Sequence, residues 1–156
     1  MPPGQPALGA RITPLEAAPR GLETELVLHV PSDVNRVGEV VDFVSEQVAP
    51  WFDDPRIVRF NLRVALGEAL TNAILYGTRS DPSKLVGVRV RFGHTMIEME
   101  INDDGEGFDH SCLPDPTTPE HISATSGRGI YLIRSLVDEV YFNEKGNTIC
   151  MTLRRA

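Results

Sequence analysis

Two polar side chains in the segment EALTN, residues 68–72, could do chemistry together. Residues four apart on a helix project from the same face, so Glu68 and Asn72 would lie one turn from each other. A carboxylate and an amide in this arrangement could hold a metal ion and orient a nucleophile. A solvent-exposed polar stripe that only stabilises the helix has the same pattern, so this pair alone leaves both interpretations open.

A second group follows a predicted strand, in the segment DDGEGF at residues 103–108. Gly105 and Gly107 allow positive φ and a close approach of the backbone to a flat ligand. The carboxylate of Asp103, at the end of the strand, could accept a hydrogen bond from an exocyclic amine. Acidic turns that contain glycine also end many strands without binding anything, so the motif is weak by itself.

A third group, SGRGI at residues 126–130, directly precedes a predicted helix. Glycines at a helix start leave free backbone N–H groups at the positive end of the helix dipole, where phosphate oxygens bind. Gly127, Arg128, Gly129 and Ile130 are therefore candidate phosphate-binding residues. The pattern is neither GxxxxGK[ST] nor a strand-linked GxGxxG, which argues against the two commonest nucleotide-binding folds.

Hydrophobic periodicity predicts the elements that must position these groups. The predicted helices cover residues 34–48, 54–77 and 127–137. The predicted strands cover residues 25–30, 86–90, 96–101, 140–142 and 148–153. Helices and antiparallel hairpins segregated in this way predict an α+β two-layer sandwich, in which a mixed, mostly antiparallel sheet carries the helices on one face.

Length and composition predict one ordinary domain. The chain has 156 residues, and its start is rich in proline and glycine, so we expect a flexible tail at residues 1–23 and a single domain over residues 24–156. Its two cysteines form no CxxC or Cys/His cluster, so neither a disulfide scaffold nor a zinc site is expected. The first residues show no basic start followed by an apolar run, and nowhere do about 18 apolar residues follow one another, so we expect neither secretion nor membrane spanning but a cytoplasmic protein.

The formal net charge of −7 comes from one segment. From Phe92 to Gly127 there are eight acidic residues and no Lys or Arg, which leaves 14 acidic residues (22 − 8) and 15 basic ones elsewhere. Binding of nucleic acid through phosphates requires clustered basic residues, so direct nucleic-acid binding is not expected.

The joint order of the three motifs carries more weight than any one of them. E-x-x-x-N on a helix, D-x-G-x-G after a strand, a loop over residues 108–126 and G-x-G at a helix start resemble the GHKL ATPase (Bergerat) fold. The segments EALTNAILYG, NDDGEGFD and SGRGIYLIRSLVDEV are similar to those of bacterial anti-sigma factor serine kinases, the switch kinases of partner-switching systems. The resemblance extends over residues 25–153.

This resemblance implies a role for each motif residue. Asn72 would coordinate the magnesium ion that bridges the ATP phosphates, and Glu68 would accept the proton of the attacking hydroxyl. Asp103 would bind the adenine amine, with Gly105 and Gly107 allowing the base to lie close.

The third motif and the loop before it would hold the phosphates. The resemblance implies that Gly127, Gly129 and the backbone at Arg128 and Ile130 bind phosphate beneath a lid at residues 108–126. Because the lid and its flanks are acidic, we expect nucleotide binding to depend strongly on Mg²⁺.

The resemblance also implies an activity and partners. We expect an ATP-dependent serine kinase that binds a sigma factor and phosphorylates a STAS-domain anti-sigma factor antagonist, and that forms a homodimer without direct nucleic-acid or membrane binding. The alternative is a nucleotide-gated binding module that sequesters a sigma factor or another regulator without phosphotransfer. A histidine kinase would need a phosphoacceptor hairpin, and gyrase-type or chaperone-type ATPases are far longer, so these classes are not favoured.

Overall fold

The computed structural model describes residues 9–15, 21–103, 125–143 and 147–155, with backbone alone for residues 125–128. Gly105, Gly107 and the predicted lid up to residue 124 lie outside the described residues. Thr125 and Ser126, at the end of the predicted lid, belong to a helix.

In the described part of the chain, six strands form one open sheet. They are β1 (Arg11–Pro14), β2 (Thr24–Pro31), β3 (Leu85–Phe92), β4 (Met96–Asn102), β5 (Glu139–Phe142) and β6 (Thr148–Arg154). Their spatial order is β1-β2-β3-β4-β6-β5. Along β2 and β3, buried residues alternate with more exposed ones, because successive side chains of a strand point to opposite faces. This confirms the period-two pattern on which the strand predictions rest.

All five pairings among the described strands are antiparallel. A hairpin at Gly93 joins β3 to β4, between the two predicted strands, and the Gly93 N–H donates to the carbonyl of Met96 at 3.1 Å. β4 and β5 run in the same direction, but β6 lies between them, so no parallel pair forms among these strands. The α+β sandwich is confirmed, whereas the parallel component of the expected mixed sheet is not found in the described part of the chain.

Three α-helices are described: α1 (Val37–Val48), α2 (Arg63–Asn72) and α3 (Thr125–Leu136). A 3₁₀ turn leads into α1, and the Asp33 carboxylate caps it by accepting the N–H of Asn35 at 3.0 Å. The π-helical segments Ile57–Leu62 and Ala73–Gly77 continue α2 at both ends. We call this continuous element, residues 57–77, the long helix. Its wide turns are of interest because π-helical turns are rare and occur frequently at functional sites.

The core lies between the helices and one face of the sheet. Its fully buried side chains come from both layers: Leu26, Leu28, Val30, Val40, Val44, Leu62, Leu66, Leu70, Val86, Val88, Val90 and Ile133. The buried positions of the long helix recur every three or four residues, as expected for a helix that lies on a core. Glu68 and Asn72 are half-buried and therefore lie at the edge of this buried stripe.

The opposite face of the sheet carries a ladder of charged side chains. Glu25, Arg91 and Glu98 are neighbours in register across β2, β3 and β4. Nε of Arg91 donates to Glu25 at 2.9 Å, and this hydrogen bond raises the pKa of the guanidinium. An antiparallel sheet can expose one face to water, so the charged ladder requires no second layer.

The N-terminal segment differs from the tail predicted for residues 1–23. Arg11–Pro14 pairs antiparallel with β2, and Leu22 is buried in the fold. All four residues of β1 are exposed, so the strand is held through its backbone and shows no apolar periodicity that sequence reasoning could detect. The structure corrects the prediction for these residues, whereas residues 1–8 and 16–20 lie outside the described part of the chain.

Candidate active site

Glu68 and Asn72 lie on the face of the long helix that meets α3. Both side chains are half-buried, and neither has a hydrogen-bond partner among the described residues. Exposed polar stripes on helices are normally fully solvated, whereas these two groups are partly withdrawn from water and available to a ligand. The burial therefore favours the chemical interpretation of the pair over the purely structural one.

Gly129 of α3 comes close to both side chains. A methyl group on Gly129 would lie 2.8 Å from Nδ2 of Asn72 and 3.3 Å from Oε2 of Glu68. Gly129 is in the second turn of α3, where the backbone N–H bonds to the helix itself rather than to a ligand. Gly129 contributes to the site because it lacks a side chain. It does not supply the free N–H group that was expected at the helix start.

The packing of α3 against the long helix explains this contact. Nδ2 of Asn61 donates to the carbonyl of Leu136 at 2.9 Å, which fixes the end of α3 beside the beginning of the long helix. Gly129 lies seven residues earlier in α3, beside residues 68 and 72. The two helices therefore run antiparallel, and the buried Ile133 lies between the two contacts.

Asp103 directly follows β4, and only 8% of it is exposed. Its backbone is held by the turn before β6. The N–H of Asp103 donates to the carbonyl of Asn147 at 3.0 Å, and Nδ2 of Asn147 donates to the carbonyl of Asp103 at 3.2 Å. A buried carboxylate on a backbone fixed in this way is suited to recognising one polar group of a ligand.

Gly77, at the end of the long helix, touches the Asp103 carboxylate. A methyl group on Gly77 would overlap the carboxylate of Asp103. The helix predicted from the sequence ends at Gly77, where a glycine could form a left-handed cap, but the residues that adopt positive φ here are Arg79 and Ser80. A glycine is thus required at position 77 because the helix backbone approaches the Asp103 carboxylate closely. Gly77 and Asn147 also belong to the candidate site, and sequence reasoning missed both. The one sequence signal for Gly77 was a glycine five residues after Asn72.

The long helix contributes to both parts of the candidate site. It carries Glu68 and Asn72, and its last residue, Gly77, touches the Asp103 carboxylate. Gly77 follows Asn72 by five residues, so the Asp103 carboxylate lies about one π-helical turn beyond the Glu68–Asn72 pair. Gly127 lies in the first turn of α3, where backbone N–H groups have no partner within the helix. Ile130 is buried and lies beyond the first turn, so its side chain does not face a ligand and its N–H bonds within the helix; the structure does not support the expected phosphate contact at this residue.

The donors present suit a magnesium ion that is shared with a phosphate ligand. Among the described residues, no group of three or more His, Cys, Asp or Glu side chains could hold a metal. Mg²⁺ commonly takes one or two oxygen ligands from the protein and the rest from phosphate and water. The amide oxygen of Asn72, with the Glu68 carboxylate one turn away, fits this pattern.

The fold and these motifs are those of a known domain family. The sequence profile of the histidine kinase-like ATPase domain matches residues 30–153, and the chain belongs to this family. The family description names ATP as the nucleotide. No helix in the described part of the chain is long and apolar enough to cross a membrane.

Curated proteins with similar sequences are bacterial regulators. The chain is 32% identical to the serine-protein kinase RsbW of Bacillus subtilis over 99 residues, which cover 59% of this chain and 62% of that protein. It is 32% identical to the anti-sigma F factor of Bacillus cytotoxicus over 97 residues, covering 58% and 66%. Identity to RsbW of Bacillus velezensis is 28% over 135 residues, covering 80% and 82%. For the B. subtilis relative, the chain spans about three fifths of its length.

Proposed function

We propose that this chain is an ATP-dependent serine kinase and anti-sigma factor, which binds a sigma factor and phosphorylates a STAS-domain anti-sigma factor antagonist on serine. The observation that carries the proposal is the juxtaposition of Glu68, Asn72 and Gly129, which puts a carboxylate beside an amide at the edge of a helix pair. A protein that only binds nucleotide needs no carboxylate at this position. The names of two relatives, serine-protein kinase RsbW and anti-sigma F factor, support the same proposal.

In this proposal the nucleotide lies along the long helix. The Asp103 carboxylate accepts a hydrogen bond from the adenine amine, and Gly105 and Gly107 let the base lie close. Asn72 would hold a magnesium ion, which would supply positive charge to neutralise the phosphates. The backbone N–H groups in the first turn of α3, including that of Gly127, meet the phosphate oxygens, while Gly129 leaves space for the Asn72 and Glu68 side chains.

The proposed reaction is an in-line transfer of the γ-phosphoryl group. The serine oxygen of the antagonist forms a bond to the γ-phosphorus, while the bond from that phosphorus to the β–γ bridging oxygen breaks. ADP leaves with the bridging oxygen, and the serine proton passes to the Glu68 carboxylate. Positioning and charge neutralisation supply most of the rate acceleration in such transfers.

The remaining features of the proposal concern the whole protein. We propose a single histidine-kinase-like domain that comprises residues 24–156 together with the strand β1 and Leu22 before them, a homodimer as the working form and a cytoplasmic location. Direct binding of nucleic acid or of membranes is not part of the function. The net charge of −7, which would repel phosphate backbones, supports this part of the proposal.

The rival function is a binding module that uses nucleotide to gate its hold on a regulator without transferring phosphate. Incubation with γ-labelled ATP and a STAS-domain antagonist separates the two. We expect labelled phosphate on a serine of the antagonist, and no label on an antagonist whose acceptor serine is replaced by alanine. ATP-dependent binding of the antagonist without any label would favour the binding module.

Gly129→Ala is expected to weaken MgATP binding without destabilising the fold. The added methyl group would displace the Asn72 amide, which can move at little cost because it ends a short side chain. Isothermal titration calorimetry measures the affinity and a thermal melt measures the stability.

Gly38→Ala is the matched control, because Gly38 is an exposed residue of α1 with nothing within 4 Å of the new methyl group. It should leave ATP binding unchanged and stabilise the fold by about 0.5–1 kcal/mol. Equal ATP affinity for Gly129→Ala and the wild type would show that α3 does not border the nucleotide site.

A further inference from the structure

Two buried hydroxyl groups meet at the end of the long helix. Ser32, which directly follows β2, and Thr78, which directly follows the long helix, are each 2% exposed, and their side chains are hydrogen-bonded to each other. They are 46 residues apart in sequence. Burying polar groups costs free energy unless they are paired, so such a pair holds its two elements in a defined relation.

The direction of the hydrogen bonds follows from the single proton of each hydroxyl. Oγ1 of Thr78 lies 3.1 Å from the carbonyl oxygen of Ile74 and 3.4 Å from that of Ala73. These carbonyls can only accept, so the Thr78 proton goes to the helix end. Ser32 therefore donates to Thr78. The chain of donors runs from Ser32 through Thr78 to the last, wide turn of the long helix.

Both ends of this chain are fixed to the fold. The Ser32 N–H donates to the carbonyl of Lys84 at 3.1 Å, just before β3, so Ser32 is tied to the sheet. The Thr78 N–H donates to the carbonyl of Ala73 at 2.9 Å, which closes the wide turn that ends at Gly77. Because Gly77 touches the Asp103 carboxylate with no space to spare, a shift of this turn also moves the wall against which the carboxylate rests.

We infer that Thr78, supported by Ser32, is a positioning residue that sets the orientation of the Asp103 carboxylate toward the ligand. The inference rests on the proposed role of Asp103 in accepting a hydrogen bond from the adenine amine. Thr78 itself touches no substrate. It fixes the last turn of the long helix, and that turn borders the buried carboxylate on one side and so limits the orientations that it can adopt.

The test compares ATP with inosine triphosphate (ITP), which carries a carbonyl oxygen in place of the amine. In the wild type, Asp103 favours the amine and repels the carbonyl oxygen, so ATP should bind more tightly than ITP. Thr78→Val keeps the branched shape and removes the hydroxyl. We expect its affinity for ATP to fall by about tenfold, with no loss of affinity for ITP. In the kinase assay KM for ATP should rise while kcat stays near the wild-type value.

A merely structural role predicts a different result, because general loosening of the fold weakens both nucleotides equally. Thr78→Ser, which restores the hydroxyl, should recover the preference for ATP. Ser32→Ala removes only the supporting donor and should lower the preference in the same direction. Ser32→Ala replaces Thr78→Val as the test variant if Thr78→Val does not fold.

Asp103→Asn separates this inference from the proposed function. If Asp103→Asn keeps the wild-type preference for ATP, the role of Asp103 in adenine recognition is wrong. If Asp103→Asn loses that preference while Thr78→Val and Ser32→Ala retain it, Asp103 binds adenine and the positioning role of Thr78 is wrong.

Discussion

Glu68→Ala is expected to lose phosphotransfer and to keep ATP binding. In the proposed reaction Glu68 accepts the proton of the attacking serine, and a positioned general base contributes about 10²–10⁴-fold to the rate. The carboxylate is half-buried beside Gly129, with no hydrogen-bond partner among the described residues, so its removal breaks no structural contact there. The loss should therefore appear in kcat and hardly at all in the stability of the fold.

The measurement is single-turnover transfer of labelled phosphate to the antagonist, with ATP affinity determined in parallel by calorimetry. Glu46→Ala is the matched control, since Glu46 is an exposed carboxylate on α1, away from the helix pair that forms the site. It should transfer phosphate at the wild-type rate. Near wild-type transfer by Glu68→Ala would exclude Glu68 as the base, whereas loss of ATP binding would assign it to the nucleotide site instead.

Asn72→Ala is expected to lose the magnesium-dependent part of ATP binding. In the proposal the amide oxygen is the protein ligand of the metal, and no Lys or Arg occurs between Phe92 and Gly127 to replace its neutralising effect. Removing a group that only orients a metal ligand typically weakens metal binding by about 10–100-fold, and removing the ligand itself should cost at least as much. We expect a decrease of that order in the affinity for MgATP.

Calorimetry with and without a chelator measures this effect. The wild type should lose most of its ATP affinity when magnesium is removed, while Asn72→Ala should be weak under both conditions. Asn35→Ala, at an exposed position before α1, is the control and should behave as the wild type does. Wild-type affinity that a chelator does not change would contradict both the role of Asn72 and the magnesium dependence expected from the acidic segment.

Periodicity predicted most of the fold because burial on one face imposes it. The alternating residues of β2 and β3 and the helical spacing along the long helix follow from a core with one sheet face and one helix layer. The strand β1 escaped prediction because it is exposed along its whole length and is held by its backbone. Backbone pairing leaves no pattern in the side chains.

The spacing of residues along the chain also predicted the Glu68–Asn72 part of the candidate site. Glu68 and Asn72 share a helix face because they are four residues apart, and the order of the glycine motifs indicated the ATPase family to which the chain belongs. The structural role of individual glycines could not be predicted from spacing. Gly77 looks like a helix cap and Gly129 looks like a phosphate-binding N–H donor, yet both are found at close contacts with side chains of the site.

The sequence by itself determined the fold class and the family and indicated the residues proposed to do chemistry, since these depend on local periodicity and on motif order. The tertiary structure alone decided which of those residues meet. The antiparallel packing of α3 brings Gly129 onto Glu68 and Asn72, and the end of the long helix brings Gly77 onto Asp103. The buried hydroxyl pair of Ser32 and Thr78 joins residues 46 positions apart. Contacts between such distant residues depend on how the helices and the sheet pack together, which local sequence patterns do not specify.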